Sequence, residues 1–339
     1  MASRKLNVVI AQSPGKNPHK RQLEEEIASR LIIENVADVS LVPHLNDLSA
    51  DHSGALWLKS IRGDIVILAW LYPRASHWVL DRMGIKGRTG TVLLRSAEED
   101  EEEEPSSETE DAADGIGALD VPDRSIFALD LRIDAKPEVF LTEIRRIARE
   151  ASVEVQPLTL TGLGAGSGTN GSATNALPIV TPPAAAPVEH TGDVRRRWFP
   201  VIDYDRCTNC MECIDFCLFG VYGLDEHERI LVEQQDNCKK GCPACSRVCP
   251  ANAIIFPEHK TPAIAGAPVA AAGDFKIDLS KLFGAPSALE LAVMERDTEL
   301  VADGREAVGM EVGIPKRQAH ADSRPKDALD NLIDGLDDL

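Results

Sequence analysis

Apolar runs alternate with amphipathic stretches along the first 155 residues. Leu6–Ala11 and Asp64–Ala69 predict strands, and the second lacks polar–apolar alternation, as is typical when both faces of a sheet are covered. Leu23, Ile27 and Leu31 recur every four residues, which predicts one buried stripe of a helix. Further strands are predicted at Val39–Val42, Thr91–Leu94 and Ser125–Leu129, and further helices at Ala55–Ile61, Ala75–Met83 and Phe140–Ala151.

This alternation predicts an α/β fold for residues 1–155, a doubly wound parallel sheet with a flavodoxin-like outline. Ligands of such sheets bind outside the carboxyl ends of the strands. The segments expected to converge there are Gln12–Lys16, Pro43–His44 with Asp47, and Trp70–His77.

Four residues just past the third strand, Tyr72, Arg74, His77 and Trp78, place aromatic and basic side chains together. A pocket lined by such side chains suits a flavin or an anionic group. The competing interpretation, which we favour, is a docking face or ordinary helix-start residues. The chain has no Walker loop, dinucleotide-binding glycine fingerprint or nucleophile elbow, and no catalytic residue is assigned.

Two polar stretches interrupt this pattern. Residues 97–123 are predicted to be a disordered insertion, because Glu98–Glu104 is a run of seven acids that repels itself. The run either only confers solubility or steers a basic redox partner. Residues 156–193 are rich in Gly, Ala, Ser, Thr and Pro and predict a flexible linker.

Residues 261–339 predict a flexible tail that carries two helices. The first lies near 288–303, where Ser287 and Glu290 have the spacing of a capping box. The second lies near 327–339 and is acidic and amphipathic; it either docks on this chain or enters a partner's groove. Its apolar stripe is formed by Leu329, Leu332, Ile333, Leu336 and Leu339.

Composition narrows the possible partners and location. With 55 acidic and 36 basic residues the net charge is −19, which disfavours nucleic acid as a partner. The N-terminus lacks the apolar core of a signal peptide, and Ile65–Leu71, the longest candidate apolar run, is too short to span a bilayer. We therefore expect a cytoplasmic protein, in a compartment where thiols stay reduced.

All eight cysteines lie between residues 207 and 249. Three cysteines within seven residues let one loop hold three corners of an iron–sulfur cubane, while the fourth serves the neighbouring cluster. The spacing therefore predicts two [4Fe-4S] clusters, and it favours them over structural zinc, which prefers cysteine pairs far apart in sequence. The first predicted ligand set is Cys207, Cys210, Cys213 and Cys249, and the second is Cys217, Cys238, Cys242 and Cys245.

Residues 198–256, within a predicted α+β domain at 194–260, resemble a bacterial-type ferredoxin with two [4Fe-4S] clusters. The matching residues are the two runs, the approach Val201–Cys207 (VIDYDRC) and the exit Cys249–Ile255 (CPANAII). Two departures are Lys239–Gly241, three residues where the family usually has two, and Leu218, where it usually has proline. The longer spacing requires the second loop to bulge. The resemblance implies a low reduction potential.

The sequence thus predicts an iron–sulfur electron-transfer protein that passes single electrons between redox partner proteins, some with basic docking surfaces. One alternative is a ferredoxin-linked oxidoreductase whose N-terminal domain binds flavin or substrate. Another is a scaffold or sensor with structural clusters. Whether the chain is an enzyme stays open, and an electron carrier is favoured.

Overall fold

The computed structural model describes residues 5–94, 115–153, 186–190, 192, 194–268 and 286–313. Two compact units make up the chain. The first unit comprises Met1–Leu71, Met83–Glu103 and Val121–Arg195, and the second comprises Tyr72–Arg82, Glu104–Asp120 and Arg196–Leu339. The acidic run 98–104 and the C-terminal stripe from 327 onwards lie outside the described residues.

The first unit is built on a parallel sheet, which confirms the α/β prediction. Its six strands have the order β4-β5-β3-β1-β2-β6. Strand β3 is buried throughout, as the absence of alternation indicated. The strand bounds are β1 (Leu6–Ala11), β2 (Ala37–Val42), β3 (Ile65–Ala69), β4 (Arg88–Thr89), β5 (Ser125–Asp130) and β6 (Val188–Glu189).

Within the part of the chain that the structure describes, four helices follow these strands in sequence. They are α1 (Pro18–Ile33), α2 (Ser53–Ser60), α3 (Pro73–Arg82) and α4 (Pro137–Val153). Helix α1 begins where Asn17 accepts a hydrogen bond from the His19 amide, with proline at its first position. Leu23, Ile27 and Leu31 are buried in the core of this unit, so the predicted helical stripe is confirmed. Helix α3, although it follows β3, belongs to the second unit.

The predicted strand Thr91–Leu94 is wrong, and the edge strand is instead Arg88–Thr89. Side chains of α4 take the backbone groups that a longer strand would need. The Leu93 amide donates to Glu143 over 2.8 Å, and Arg146 donates to the Thr91 carbonyl over 2.8 Å. Strand β6 was not predicted; it lies within the range assigned to the linker and pairs in parallel with β2.

Among its described residues, the second unit holds two small antiparallel sheets together with helices of four to 15 residues. Strand β7 (Val201–Ile202) pairs with β10 (Ile254–Ile255), and β8 (Tyr222–Leu224) pairs with β9 (Ile230–Val232). Its further helices are α5 (Glu212–Phe216), α6 (Ala244–Val248), α7 (Pro262–Ala265) and α8 (Ala288–Ala302). Short 3₁₀ segments occur at Leu45–Asp47 in the first unit and at Gln235–Asn237 and Gly309–Glu311 in the second. No helix within the described ranges combines the length and apolarity needed to cross a membrane.

Candidate iron–sulfur site

The cysteines of the second unit surround two separate cavities. The first cavity is lined by Cys207, Cys210, Cys213 and Cys249. The second cavity is lined by Cys217, Cys238, Cys242 and Cys245. These are the same two sets of four that the sequence predicts as ligand sets; ligation itself stays a prediction.

Cys213 and Cys217 line different cavities although only one helical turn of sequence separates them. Cys213 lies in the first turn of α5, which follows two residues with left-handed backbone, Asn209 and Met211. The helix ends at Phe216, and Cys217 has an extended backbone while its amide donates to the Cys213 carbonyl over 3.0 Å. The early end of the helix therefore turns the fourth cysteine away from the first three.

The three-residue spacing after Cys238 is accommodated by a tight turn. The Cys242 amide donates to the Lys239 carbonyl over 3.1 Å, and Gly241 has a φ of +94°. Positive φ at the third position of a turn favours glycine. The bulge required by the longer loop is thus formed by Lys239–Cys242, and all four cysteines of this set still face one cavity.

Burial raises the pKa of the cysteine thiols, whereas hydrogen bonds from backbone amides lower it. Burial raises the pKa of Cys207 and of Cys242 to about 11 in each case. It also raises the pKa of Cys249, although hydrogen bonds from the Ala253, Ala251 and Ile254 amides lower it. Thiolates in such a pocket need a cation to offset desolvation, and amides aimed at sulfur are typical of iron–sulfur sites. The residues present therefore fit a [4Fe-4S] cluster.

Two hydrogen bonds to cysteine sulfur are well defined. The Ala253 amide donates to Sγ of Cys249 over 3.2 Å, and the Tyr222 hydroxyl donates to Sγ of Cys245 over 3.0 Å. Tyr222 is buried, and this burial raises its pKa well above the usual value, so it stays a protonated donor. Sequence reasoning did not identify Tyr222, because a tyrosine between two cysteine runs has no local signal of its function.

Arg296 is a second residue that sequence reasoning missed. It lies on α8, which packs against α6, and its side chain is 1% exposed and lines the second cavity. A detectable signal existed: Ala292, Arg296 and Leu300 recur every four residues, so the arginine shares the buried face of the helix. Helix α8 begins after Ser287, where both hydrogen bonds of the predicted capping box are present.

The aromatic and basic residues after β3 do not form an open pocket. Arg74 forms an ion pair of 2.5 Å with Asp203 and also donates to the Asn252 carbonyl. Trp78 is buried and meets Tyr204 edge to face at 5.6 Å between ring centroids. His77 is also buried, and desolvation lowers its pKa. This result favours the alternative, in which these residues are a docking face or ordinary helix-start residues.

The convergence predicted at the carboxyl ends of the strands is realised in part. Buried Glu24 accepts hydrogen bonds from the Ser13 amide, which follows β1, and from the Trp70 indole, which follows β3. Beside them lies a cleft lined by His19, Lys20, Gln22, Leu23, Glu26, Trp70, Leu131, Arg132, Asp134 and Ala135. His44 and Asp47 are buried and do not line this cleft.

Comparison with known proteins matches the cysteine-rich part of the chain. Residues 199–222 match the family described as the 4Fe-4S binding domain. The chain is 48% identical over 66 residues to an uncharacterised ferredoxin of Methanocaldococcus jannaschii, covering 19% of this chain and 44% of that protein. It is 36% identical over 59 residues to a ferredoxin of Methanothermococcus thermolithotrophicus, covering 17% of this chain and 95% of that protein.

The segment thus defines an iron–sulfur protein of the 4Fe-4S class. Through it, the chain belongs to the ferredoxin family, which confirms the resemblance inferred from the cysteine runs. It is also 37% identical over 65 residues to pyruvate synthase subunit PorD of Methanothermobacter marburgensis, covering 19% of this chain and 73% of that subunit. The chain spans less than half the length of the first relative, and no solved structure matches it significantly.

Proposed function

We propose that this protein is an electron carrier that binds two [4Fe-4S] clusters and passes single electrons between redox partner proteins. The observation that carries the proposal is the pair of cavities, each lined by four cysteines. Each cluster, when bound, supplies one-electron chemistry, while the chain supplies thiolates, a shell of low dielectric and hydrogen bonds to sulfur. Because the thiols must stay reduced to hold the clusters, the proposal includes a cytoplasmic location.

Anaerobic reconstitution followed by iron and sulfide analysis tests this proposal. We expect close to eight iron and eight sulfide per chain, and reversible reduction in a potentiometric titration. Stoichiometric zinc, or only four iron per chain, would contradict the two-cluster proposal. Clusters that do not cycle reversibly would favour the structural or sensory alternative.

The partner proteins are proposed from similarity and charge. Relatives of the cysteine-rich segment include subunits of pyruvate synthase, which supports transfer of electrons to or from an oxidoreductase. The net charge of −19 favours partners with basic docking surfaces. Anaerobic affinity purification at low and high salt tests this, since partners held by charge should be lost as salt rises.

A second candidate function is an oxidoreductase whose first unit binds flavin or substrate. The cleft beside Trp70 favours it, because it lies at the carboxyl ends of parallel strands and is lined by Lys20, Arg132 and His19. Lys20 already lies 4.1 Å from the centroid of the Trp70 ring, so a planar ligand must displace it to stack there. Flavin absorption bands in the purified protein would support this candidate, and cluster absorption alone would favour the carrier.

A further inference from the structure

The two cysteine cavities differ in the charged side chains that line them. Glu212, which is 4% exposed, is among the residues that line the first cavity, and no described residue lining it is lysine or arginine. The second cavity is lined by Arg296, which is 1% exposed, and by Lys239. Among the described residues that line the two cavities, a buried cation therefore lines only the second, whereas the half-buried Arg229 acts electrostatically on Cys207 of the first set without lining its cavity.

The guanidinium of Arg296 is held in a fixed position. Its Nη1 donates to the Val312 carbonyl over 2.9 Å and its Nη2 to the Gly309 carbonyl over 2.7 Å. The guanidinium lies 4.7 Å from the centroid of the Phe216 ring, and Phe216 immediately precedes Cys217 in the sequence. These contacts fix the charge beside the second cavity rather than leave it to solvent, where it would be screened.

Acidic neighbours oppose this charge: burial raises the pKa of Cys242, and the charges of Glu295 and Glu299 raise it further. Asp297 contacts Arg296 at 3.0 Å but is more exposed than the arginine. Glu295, on the same helix, is ion-paired with Arg247 at 2.8 Å, and Glu299 is half-buried. Because interactions strengthen as water is excluded, the most deeply buried charge contributes most.

We propose that Arg296 raises the reduction potential of the second cluster above that of the first, an inference that rests on the proposed function. In the half-reduced protein the single electron then resides on the second cluster. Cys210 of the first set is the exposed member of the eight cysteines. An electron that entered through the first cluster would therefore lose free energy on passing to the second.

The test is a potentiometric titration of the reconstituted protein, with dithionite as reductant and spectroscopy of each one-electron step. Wild-type protein should show two steps. In Arg296→Met the more positive step should shift to a more negative potential. We expect its equilibrium constant for reduction to fall about tenfold, which corresponds to a shift of about 59 mV for one electron. Arg296→Lys, which keeps the charge, should stay close to wild type.

Arg305→Met is the matched control, because Arg305 is exposed and also contacts this region, donating to the Leu218 carbonyl over 2.9 Å. It should change neither step. An unchanged potential in Arg296→Met with both clusters retained overturns the inference and leaves the proposed function intact. Loss of the second cluster in both Arg296→Met and Arg296→Gln also overturns it, because the role would then be structural. Wild-type protein with fewer than two clusters contradicts the proposed function itself.

Discussion

The hydroxyl of Tyr222 lies 3.0 Å from Sγ of Cys245, and both side chains are buried. A hydrogen bond to a ligand sulfur stabilises the more negative, reduced state of a cluster. Tyr222→Phe keeps the ring and removes only the donor. We therefore expect the potential of the second cluster to fall, by a free energy on the order of 1 kcal/mol.

Tyr204→Phe is the control for this measurement. Its hydroxyl donates to the Ile230 carbonyl over 3.0 Å and does not contact sulfur. Potentiometry should show the second step unchanged in this variant. Equal shifts in both variants would indicate a general effect of removing a hydroxyl rather than the bond to Cys245.

Serine replacements should separate the two clusters. Cys213→Ser should cost the first cluster and Cys217→Ser the second, because these residues line different cavities. Iron analysis should give about four iron in each variant. Adding Tyr222→Phe should shift the remaining potential only in the Cys213→Ser protein, and a shift in both backgrounds would contradict the assignment.

The pair Arg74–Asp203 should stabilise the approach to the first cavity. Asp203 is 4% exposed, and its carboxylate also accepts from the Asp205 amide at 3.1 Å in the loop before Cys207. Removing Arg74 leaves the buried Asp203 carboxylate with only the more distant Arg206, at 3.9 Å, to offset its charge, so Arg74→Met should cost about 3 kcal/mol. Chemical denaturation should report this loss.

Arg88→Met provides the comparison for that loss. Its ion pair with Asp123 spans 3.3 Å with both side chains largely exposed, and exposed pairs contribute little. The denaturation midpoint should therefore stay close to wild type. Similar losses in Arg74→Met and Arg88→Met would show that burial does not set the difference.

The acidic run is predicted to affect association rates rather than folding. Replacing residues 98–114 by an uncharged Gly-Ser linker of equal length should leave iron content unchanged. Electron transfer to a basic partner should slow at low salt, and the difference should shrink as salt screens the charges. Stopped-flow kinetics at two salt concentrations measures this. Equal rates at both concentrations would leave only a role in solubility.

The replacement stops at residue 114 because the chain beyond it is bonded to the second unit. The Ile116 amide donates to the Cys207 carbonyl over 2.8 Å, and a Cβ at Gly115 would lie 2.0 Å from the Asp205 carbonyl oxygen. Gly115→Ala should therefore weaken this contact and speed loss of the first cluster on dilution. A cluster as durable as in wild type would show that the contact is dispensable.

Truncation after Arg324 tests the C-terminal apolar stripe. A helix this short is marginal alone, so it gains stability only by packing on a surface. If it serves a partner, the melting temperature should stay unchanged and partner recovery should be lost. A clear fall in melting temperature would assign the helix to this chain's own core instead.

Local patterns predicted the parts of the fold that depend on local chemistry. The parallel sheet followed from apolar runs such as Ile65–Ala69, and the cysteine grouping followed from spacing alone. Thr91–Leu94 has the composition of a strand, but side chains 50 or more residues away bind its backbone. Tyr222 contacts Cys245, and Arg296 lines the second cavity beside cysteines that are distant in sequence. The helical period places Arg296 on a buried face, but which cysteines it lies beside has no signature in a short window.

The division of cysteines between the cavities has a consequence for biosynthesis. The cysteine set whose first three members are translated earliest is completed last, because it needs Cys249. The cysteine set of the other cavity is complete once Cys245 has been made, although it begins with Cys217. A nascent chain that ends between these points has three cysteines of the first set and all four of the second. Neither four-cysteine run is therefore a transplantable module, and a chain split between Cys217 and Cys238 leaves neither fragment with a complete set.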